Sequence, residues 1–270
     1  MAEVSVIVPT RNSGATLEAC LQSVRAQSES TLELIVVDNF STDETPRIAG
    51  RYADVFRQAG PERSRQRNLG AAIAGGNWLL FVDSDMLLEQ SILAECLGET
   101  KRGFRALIIP EVSKGDGFWA GCKALERSCY VGDDSIEAAR FIEHALFKQL
   151  GGFDEELVGE EDWDLTQRIR SRNEPIGRTR TPLLHDEGHL RLWETMRTKF
   201  YYGRTMWRYI QKHPNAARSQ LRLFRPAFAR HVNDLRAHPV QAAGMLMMKT
   251  CEVAAGAAGT ASGWWADHRR

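Results

Sequence analysis

Two apolar runs near the start of the chain limit the possible folds more than any other feature. The stretches VSVIVPT at 4–10 and LELIVVDN at 32–39 are rich in β-branched residues and show no alternation with polar ones. Such runs are typical of strands that are buried on both faces, as in a parallel sheet. Apolar residues recur at helical spacing between 17 and 24. The sequence therefore predicts a βαβ unit.

The same alternation continues further along the chain. A helix can follow the second run, ADVFRQA is compatible with a short strand, and RSRQRNLGAAIAGG predicts a helix before the apolar stretch NWLLFVDSD. Hydrophobic residues make up 43% of the chain, which is enough for a packed core. We therefore predict the α/β class, with a doubly wound and mostly parallel sheet flanked by helices. In such sheets ligands bind at the carboxyl ends of the strands.

Polar stretches follow three of these predicted strands, at 10–12, 38–43 and 83–85. The third stretch contains Asp83 and Asp85 directly after apolar residues, and buried carboxylates without partners are costly. Both side chains can face the same way and bind a hard divalent cation. A solvated turn is the alternative explanation. The first βα turn contains no G-x-G-x-x-G, so a dinucleotide on the first helix is not favoured, whereas a nucleotide held in another way stays open.

The last third of the chain is basic and rich in aromatic residues. Between Arg191 and Arg236 it has eleven cations against two carboxylates, Glu194 and Asp234. This mixture suits an amphipathic helical extension on an anionic membrane surface. Nucleic-acid binding is the alternative, and we favour the membrane.

The segment at 238–265 is apolar, but Lys249 and Glu252 interrupt it before it reaches a membrane-spanning length. We expect these two charges to pair and the segment to pack against a partner helix, and dimerisation through it is left open. The five cysteines form no C-x-x-C pair, so the sequence favours neither a disulfide framework nor a zinc knuckle. With no signal peptide evident at the start, we expect a cytoplasmic protein, peripheral on the inner face of the cell membrane.

Five fragments in this order resemble the family 2 glycosyltransferases, which have the GT-A fold of nucleotide-diphospho-sugar transferases. They are VSVIVPTRN, LELIVVDNFSTDET, RNLGAAIAGGNWLLFVDSDM, GGFDEEL and EEDWDL, and the resemblance covers about residues 4–189. It implies that Asp85 is the principal ligand of Mn²⁺ or Mg²⁺ and that Asp83 contacts the ribose or the metal shell. It also implies that a histidine completes the shell. We choose His185 over His189 because it directly follows an apolar run.

The resemblance further implies a nucleotide site. Pro9, Arg11 and Asn39 would surround the base, with Asp38 nearby. Asp38-Asn39-Phe40-Ser41 replaces the commoner DDGS, so the sequence leaves UDP and GDP open as donor nucleotides. Arg67, and after it Arg63, can grip a diphosphate, although a solvated helix start would also account for arginines here.

The EEDWDL fragment carries the predicted catalytic groups. By resemblance Asp162 is the base that takes the proton of the acceptor hydroxyl, and Glu161 orients the acceptor. Simple capping of a helix N-terminus would also explain these carboxylates. Trp163 and Trp119 are candidates for acceptor binding, although a core position is equally open for a tryptophan. HDEGH at 185–189 does not have the spacing of a zinc protease.

The sequence thus predicts a metal-dependent inverting glycosyltransferase that moves a sugar from UDP or GDP to a hydroxyl of a lipid-linked or growing glycan. The predicted domains are a catalytic domain at 1–190, with a nucleotide half at 1–112 and an acceptor half at 113–190, and a helical extension at 191–270. Two alternatives stay open. One is a sugar nucleotidyltransferase, although PTRNSG is a poor match to its glycine-rich loop, and the other is a non-catalytic membrane or nucleic-acid binding protein.

Overall fold

The computed structural model describes residues 2–27, 31–222 and 225–269. These residues form two compact units. The first comprises the chain up to Pro110, with Ala138–Glu155 and Leu165–Asp186, and the second comprises Glu111–Glu137, Glu156–Asp164 and the chain from Glu187 onward. The predicted boundary at residue 190 lies near the start of the last segment, and as a division into domains it remains a prediction.

The regular elements follow the order expected for alternating strands and helices. The strands are β1 Val4–Thr10, β2 Leu32–Asp38, β3 Val55–Gln58, β4 Trp78–Phe81, β5 Met86–Leu87, β6 Ala106–Ile108, β7 Glu111–Asp116, β8 Ala139–Glu143, β9 Ile176–Arg178 and β10 Leu183–His189. The helices are α1 Leu17–Arg25, α2 Thr45–Tyr52, α3 Arg63–Ile73, α4 Ile92–Thr100, α5 Phe118–Ser128, α6 His144–Leu150, α7 Glu161–Ser171, α8 Leu192–Lys212, α9 Pro214–Gln220, α10 Pro226–Arg230, α11 Val232–Ala237 and α12 Pro239–His268.

The first unit is built on a mostly parallel sheet. In the described residues its strand order is β3-β2-β1-β4-β8-β6-β9. The pairs β1–β2, β1–β4, β2–β3 and β6–β9 are parallel, and β8 runs antiparallel to both of its neighbours. The predicted fold class is therefore confirmed.

The central strands β1, β2 and β4 are largely buried on both faces, as the composition of β1 and β2 predicts. Val6 and Val8 of β1 belong to one core cluster, whereas Ile7 between them belongs to another. The first cluster includes residues of α1, α2 and α4, and the second includes residues of α3, α6 and α7. Period-two alternation of side chains thus places helices against both faces.

The second unit is dominated by a pair of long helices, α8 and α12. The backbones of the two helices meet at glycines: an added Cβ would lie 2.1 Å from the Phe200 carbonyl oxygen at Gly259 and 1.9 Å from that of Arg204 at Gly263. Further along, Arg208 pairs with Asp267 at 2.7 Å. Because successive contacts move toward the C-terminus of both helices, the two helices run in the same direction.

The predicted pairing of Lys249 with Glu252 is confirmed, at 3.8 Å. The two residues belong to α12, which packs on α8 and α5 of the same chain. Among the described helices, none combines the length and the apolar character that a membrane span requires. Dimerisation through α12 stays a prediction.

Candidate functional site

Three strand exits converge on one rim of the first unit, as the sequence predicts. The hydroxyl of Thr10 donates to Asp38 Oδ1 at 2.9 Å, which ties the ends of β1 and β2 together. The loop after β1 is tied to the loop after β4 by a hydrogen bond of 2.8 Å between the hydroxyls of Ser13 and Ser84. The polar residues that follow these strands therefore lie together because side chains bridge the loops.

The predicted base-binding residues differ in how accessible they are. Asp38 is fully buried and accepts hydrogen bonds from Thr10, Ser41 and Gln58, so it stabilises the loop. Asn39 is partly exposed and its side-chain amide donates to the Pro61 carbonyl, which leaves the amide oxygen as the group that can meet a base. Pro9 is buried in β1 and Arg11 is exposed just beyond it.

Asp83 is held by two arginines. Its carboxylate oxygens lie 2.6 Å from an Arg67 nitrogen and 3.4 Å from an Arg140 nitrogen. Burial alone would raise the pKa of Asp83, but the charges of Arg67, Arg140 and Arg63 together hold it well below its ordinary value. The predicted role of Asp83 at the ribose or in the metal shell is untested. With both oxygens engaged, it is a weaker candidate for a direct metal ligand than Asp85.

Arg67 is unusual because its side chain is fully buried. It lies on α3, which approaches the sheet closely: a Cβ at Gly70 would lie 2.5 Å from a methyl group of Ile7. The guanidinium also lies over the ring of Phe153, 5.2 Å from its centroid. This environment favours a role in positioning Asp83, and the predicted contact of Arg67 with a diphosphate remains a prediction. Arg63, one turn earlier, is partly exposed.

Asp85 and His185 form the second pair of the rim. The imidazole Nε2 lies 3.2 Å from Asp85 Oδ2. Strand β10 brings the histidine there, because His185 pairs with Met86 of β5 and the Asp186 amide donates to the Asp85 carbonyl at 2.8 Å. His189 instead lies beside Gly117, in the second unit.

The donor set of this pair fits a divalent cation. Asp85 Oδ1 is buried and makes no hydrogen bond within the described residues. A carboxylate oxygen and an imidazole nitrogen suit Mn²⁺ well. No group of three protein ligands is found in the part of the chain that the structure describes. Asp85 and His185 would therefore hold a metal together with oxygens of a ligand or of water.

The predicted catalytic carboxylates lie in the second unit, at the start of α7. Asp162 is partly exposed, whereas Glu161 is buried. Glu160 is also buried, and burial raises its pKa to about 7. The hydrogen bond that the Thr205 hydroxyl donates to Glu160 at 2.9 Å opposes this rise, and the charge of Glu161 contributes to it. The three neighbouring carboxyl groups thus have different surroundings.

Asp164 has a structural role in the same turn. It is fully buried and lies 2.8 Å from His213 Nε2 and 3.0 Å from Lys212 Nζ. These contacts join the start of α7 to the end of α8. Because Asp164 is neutralised in this way, Asp162 is the better candidate for a base that meets a substrate.

The two predicted acceptor tryptophans are both partly buried. Trp163 donates through its indole nitrogen to the Ile136 carbonyl at 2.8 Å and lies 6.0 Å from the ring of Tyr209. Trp119 packs against a core cluster of the second unit and makes an edge contact of 5.0 Å with Phe118. Each leaves part of its surface exposed, and acceptor binding by either stays a prediction.

Sequence reasoning missed Arg140 and a groove between α8 and α12. Arg140 lies on β8, 57 residues after Asp83, and only the sheet order brings the two together. The sequence did contain an indication of the groove, since aromatic and basic residues are interleaved in α8.

Comparison with known proteins identifies relatives of this chain. The model of glycosyl transferase family 2 matches residues 5–151. A PGL/p-HBAD biosynthesis glycosyltransferase of Mycobacterium tuberculosis is 32% identical over 180 residues, which cover 62% of this chain and 69% of that protein. A pre-mycofactocin glycosyltransferase of the same species is 26% identical over 240 residues, which cover 79% of this chain and 48% of that protein.

Solved structures share the fold at low sequence identity. The mannosyltransferase PcManGT of Pyrobaculum calidifontis, in complex with GDP-Man and Mn²⁺, superimposes with a TM-score of 0.69 at 17% identity, covering 98% of this chain and 87% of that one. S. aureus TarS 1–349 in complex with UDP-GlcNAc gives a TM-score of 0.54 at 18% identity, covering 96% and 91%. These likenesses concern the fold.

Proposed function

Because the chain belongs to glycosyl transferase family 2, we propose that it is a metal-dependent, inverting enzyme that uses a UDP- or GDP-sugar as donor. The single observation that carries the proposal is the Asp85–His185 pair, with its buried carboxylate oxygen that lacks a hydrogen bond within the described residues. Solved structures of the same fold contain UDP-GlcNAc, or GDP-Man with Mn²⁺, which supports this class of donor.

Asp85 and His185 are proposed to hold Mn²⁺ or Mg²⁺. When bound, such an ion would supply positive charge next to the leaving diphosphate. Asp83 is kept ionised by Arg67 and Arg140, so it presents a fixed negative group on the rim, suited to accept hydrogen bonds from a ribose. Arg63 and the exposed Arg11 are proposed to meet the donor's phosphates and base.

Asp162 is proposed as the catalytic base. Its carboxylate would take the proton of the acceptor hydroxyl while that oxygen forms a bond to the anomeric carbon. The bond from that carbon to the phosphate oxygen would break at the same time, and the nucleoside diphosphate would leave with the electron pair. Attack opposite the leaving group inverts the anomeric configuration. Glu161 and Trp163 are proposed to orient the acceptor.

The acceptor is proposed to be a lipid-linked or growing glycan met at an anionic membrane surface. Support comes from the second unit, where Trp193, Trp264 and Trp265 are 73%, 48% and 52% exposed near basic residues. Exposed tryptophans beside cations suit a membrane interface. A peripheral position at the inner face of the cell membrane is part of this proposal.

Turnover of candidate donors tests the proposal. We expect release of UDP or GDP that requires Mn²⁺ or Mg²⁺, is lost in Asp162→Asn, and gives a product of inverted configuration by NMR. A product of retained configuration would contradict the assignment of Asp162. Formation of a sugar nucleotide from a sugar phosphate and a nucleoside triphosphate would instead establish the nucleotidyltransferase alternative, which the named glycosyltransferase relatives do not favour.

A further inference from the structure

A groove with a volume of about 790 Å³ runs along α8 and α12, entirely within the second unit. Its walls are mainly apolar and aromatic. Four tryptophans are among the lining residues, and they are Trp163, Trp207, Trp264 and Trp265. The volume falls within the range of ligand sites, about 300–1,000 Å³. A groove of this kind suits a long apolar chain.

Charged residues cluster beside the groove, and two of them, Lys249 and Glu252, line it. Lys123 lies 2.9 Å from Glu126 and 3.0 Å from Glu252, and Lys249 lies 2.6 Å from Glu126. Burial would raise the pKa of Glu126, but the charges of Lys123 and Lys249 hold it well below its ordinary value. Both carboxylates of this cluster are therefore already neutralised by these two lysines.

Lys199 of α8 is a third cation near this cluster, beside the two carboxylates of Glu126 and Glu252. Its side chain makes no hydrogen bond or ion pair with any residue that the structure describes, although it lines the groove. Burial and the nearby charges of Lys123 and Lys249 together lower its pKa to about 8, against the opposing charges of Glu252 and Glu126. Lys199 is a partly buried excess cation, and an anion that enters from outside the protein would stabilise it.

Arg225 supplies a second donor to the groove. Its guanidinium lies 4.9 Å from the ring centroid of Tyr130, and the Lys249 ammonium lies 5.7 Å from the same ring. Arg225 Nη1 is buried and has no hydrogen-bond partner among the described residues. Arg225 and the lysines thus share one end of the groove, where a group with several acceptor oxygens would satisfy them.

We propose that this groove binds a lipid that carries a phosphate group. The apolar chain lies along the aromatic walls between α8 and α12, and the phosphate meets Lys199 and Arg225. The inference goes beyond the proposed function, because binding of this lipid requires neither the nucleotide nor the metal. Glu160 lines the same groove, and its raised pKa limits the negative charge that would oppose an anion at neutral pH.

Calorimetric titration of the whole protein with dodecyl phosphate, kept below its micelle concentration and without nucleotide or metal, tests the proposal. We expect binding of dodecyl phosphate, binding at least about tenfold weaker for dodecylphosphocholine, and no binding of inorganic phosphate. This comparison of ligands needs no variant. Equal affinity for the zwitterionic lipid, or binding only to vesicles, would overturn the proposal.

Two matched pairs of variants locate the site. Lys199→Met should weaken binding of dodecyl phosphate at least about tenfold, whereas Arg197→Met, at an exposed position of the same helix, should not change it. Ala257→Trp should abolish binding by filling the groove, and Ala258→Trp on the same helix should leave it intact. Unchanged affinity in Lys199→Met, or retained binding in Ala257→Trp, would overturn the assignment, and circular dichroism confirms that each variant is folded.

Discussion

Asp83 and Asp85 are two residues apart, yet their carboxylates have opposite surroundings. Asp83 is engaged by Arg67 and Arg140, whereas Asp85 meets only His185 and keeps one buried oxygen without a hydrogen bond in the described structure. The sequence predicts both as ligands because their residue types and their position after a strand are the same. It could not distinguish them, because Arg140 reaches Asp83 only through the folded sheet.

This difference predicts different costs of losing each carboxylate. Asp83→Asn leaves the fully buried Arg67 with less neutralising charge, and we expect a loss of about 3 kcal/mol in the free energy of unfolding. The Asp85 side chain is 41% exposed, and its one ion pair in the described structure is with a histidine, so Asp85→Asn should change that free energy by less than about 1 kcal/mol. Urea denaturation of both variants checks this. Equal losses would contradict the assigned roles.

Glu160 predicts a pH dependence of stability. Its pKa is raised from 4.5 in the unfolded chain to about 7, so the folded protein binds the extra proton between these values. The stabilisation is present below pH 4.5 and is lost as the pH rises towards 7, by up to about 1.4 kcal/mol per pH unit.

Glu160→Gln should remove this contribution. As the pH rises from 5 to 7.5, the wild type should therefore lose stability relative to the variant. Urea denaturation at both pH values measures this change in the difference of unfolding free energy. A difference that stays constant over this range would contradict the raised pKa of Glu160.

At the scale of the elements, strands are easier to predict from sequence than helix contacts. The runs at β1 and β2 are predictable because burial on both faces requires continuous apolar residues. The parallel packing of α8 against α12 is not predictable in this way, because glycines in a sequence do not specify which backbone they will approach. The residues on either side of β8 favour a helix by their sequence. Strand β8 is extended because it pairs with β4 and β6 in the folded sheet.

Replacement by alanine should have opposite effects at two glycines of α12. At Gly263 an added methyl group would lie 1.9 Å from the Arg204 carbonyl oxygen, whereas at Gly256 the nearest atom is 3.9 Å away. Gly263→Ala should therefore lower the melting temperature by separating α8 from α12. Gly256→Ala should raise the stability by up to about 1 kcal/mol, because alanine is the better helix former. Melting curves by circular dichroism check both, and destabilisation by both variants would contradict the helix contact.

At the scale of the whole molecule, the sequence predicts the site in the first unit better than the groove in the second. Strand exits on a parallel sheet meet at one edge by topology alone, so Asp38, Asp83 and Asp85 could be assigned to one rim. The groove depends on which side chains of distant helices face each other. Residue types in α8 indicate only that apolar and charged ligands are suitable. That Lys199 has no partner among the described residues follows from the folded cluster of lysines and glutamates.

The central claim is that Asp85 binds a nucleoside diphosphate through a divalent metal, and a thermal-shift titration tests it most directly. UDP and GDP are compared with and without Mn²⁺ on the wild type, on Asp85→Asn and on the exposed control Glu89→Gln. We expect one nucleotide, at about 100 times its dissociation constant, to raise the melting temperature of the wild type and the control by about 5 °C only when Mn²⁺ is present. Asp85→Asn should show no such rise. A rise that persists in Asp85→Asn, or that needs no metal, would contradict the claim.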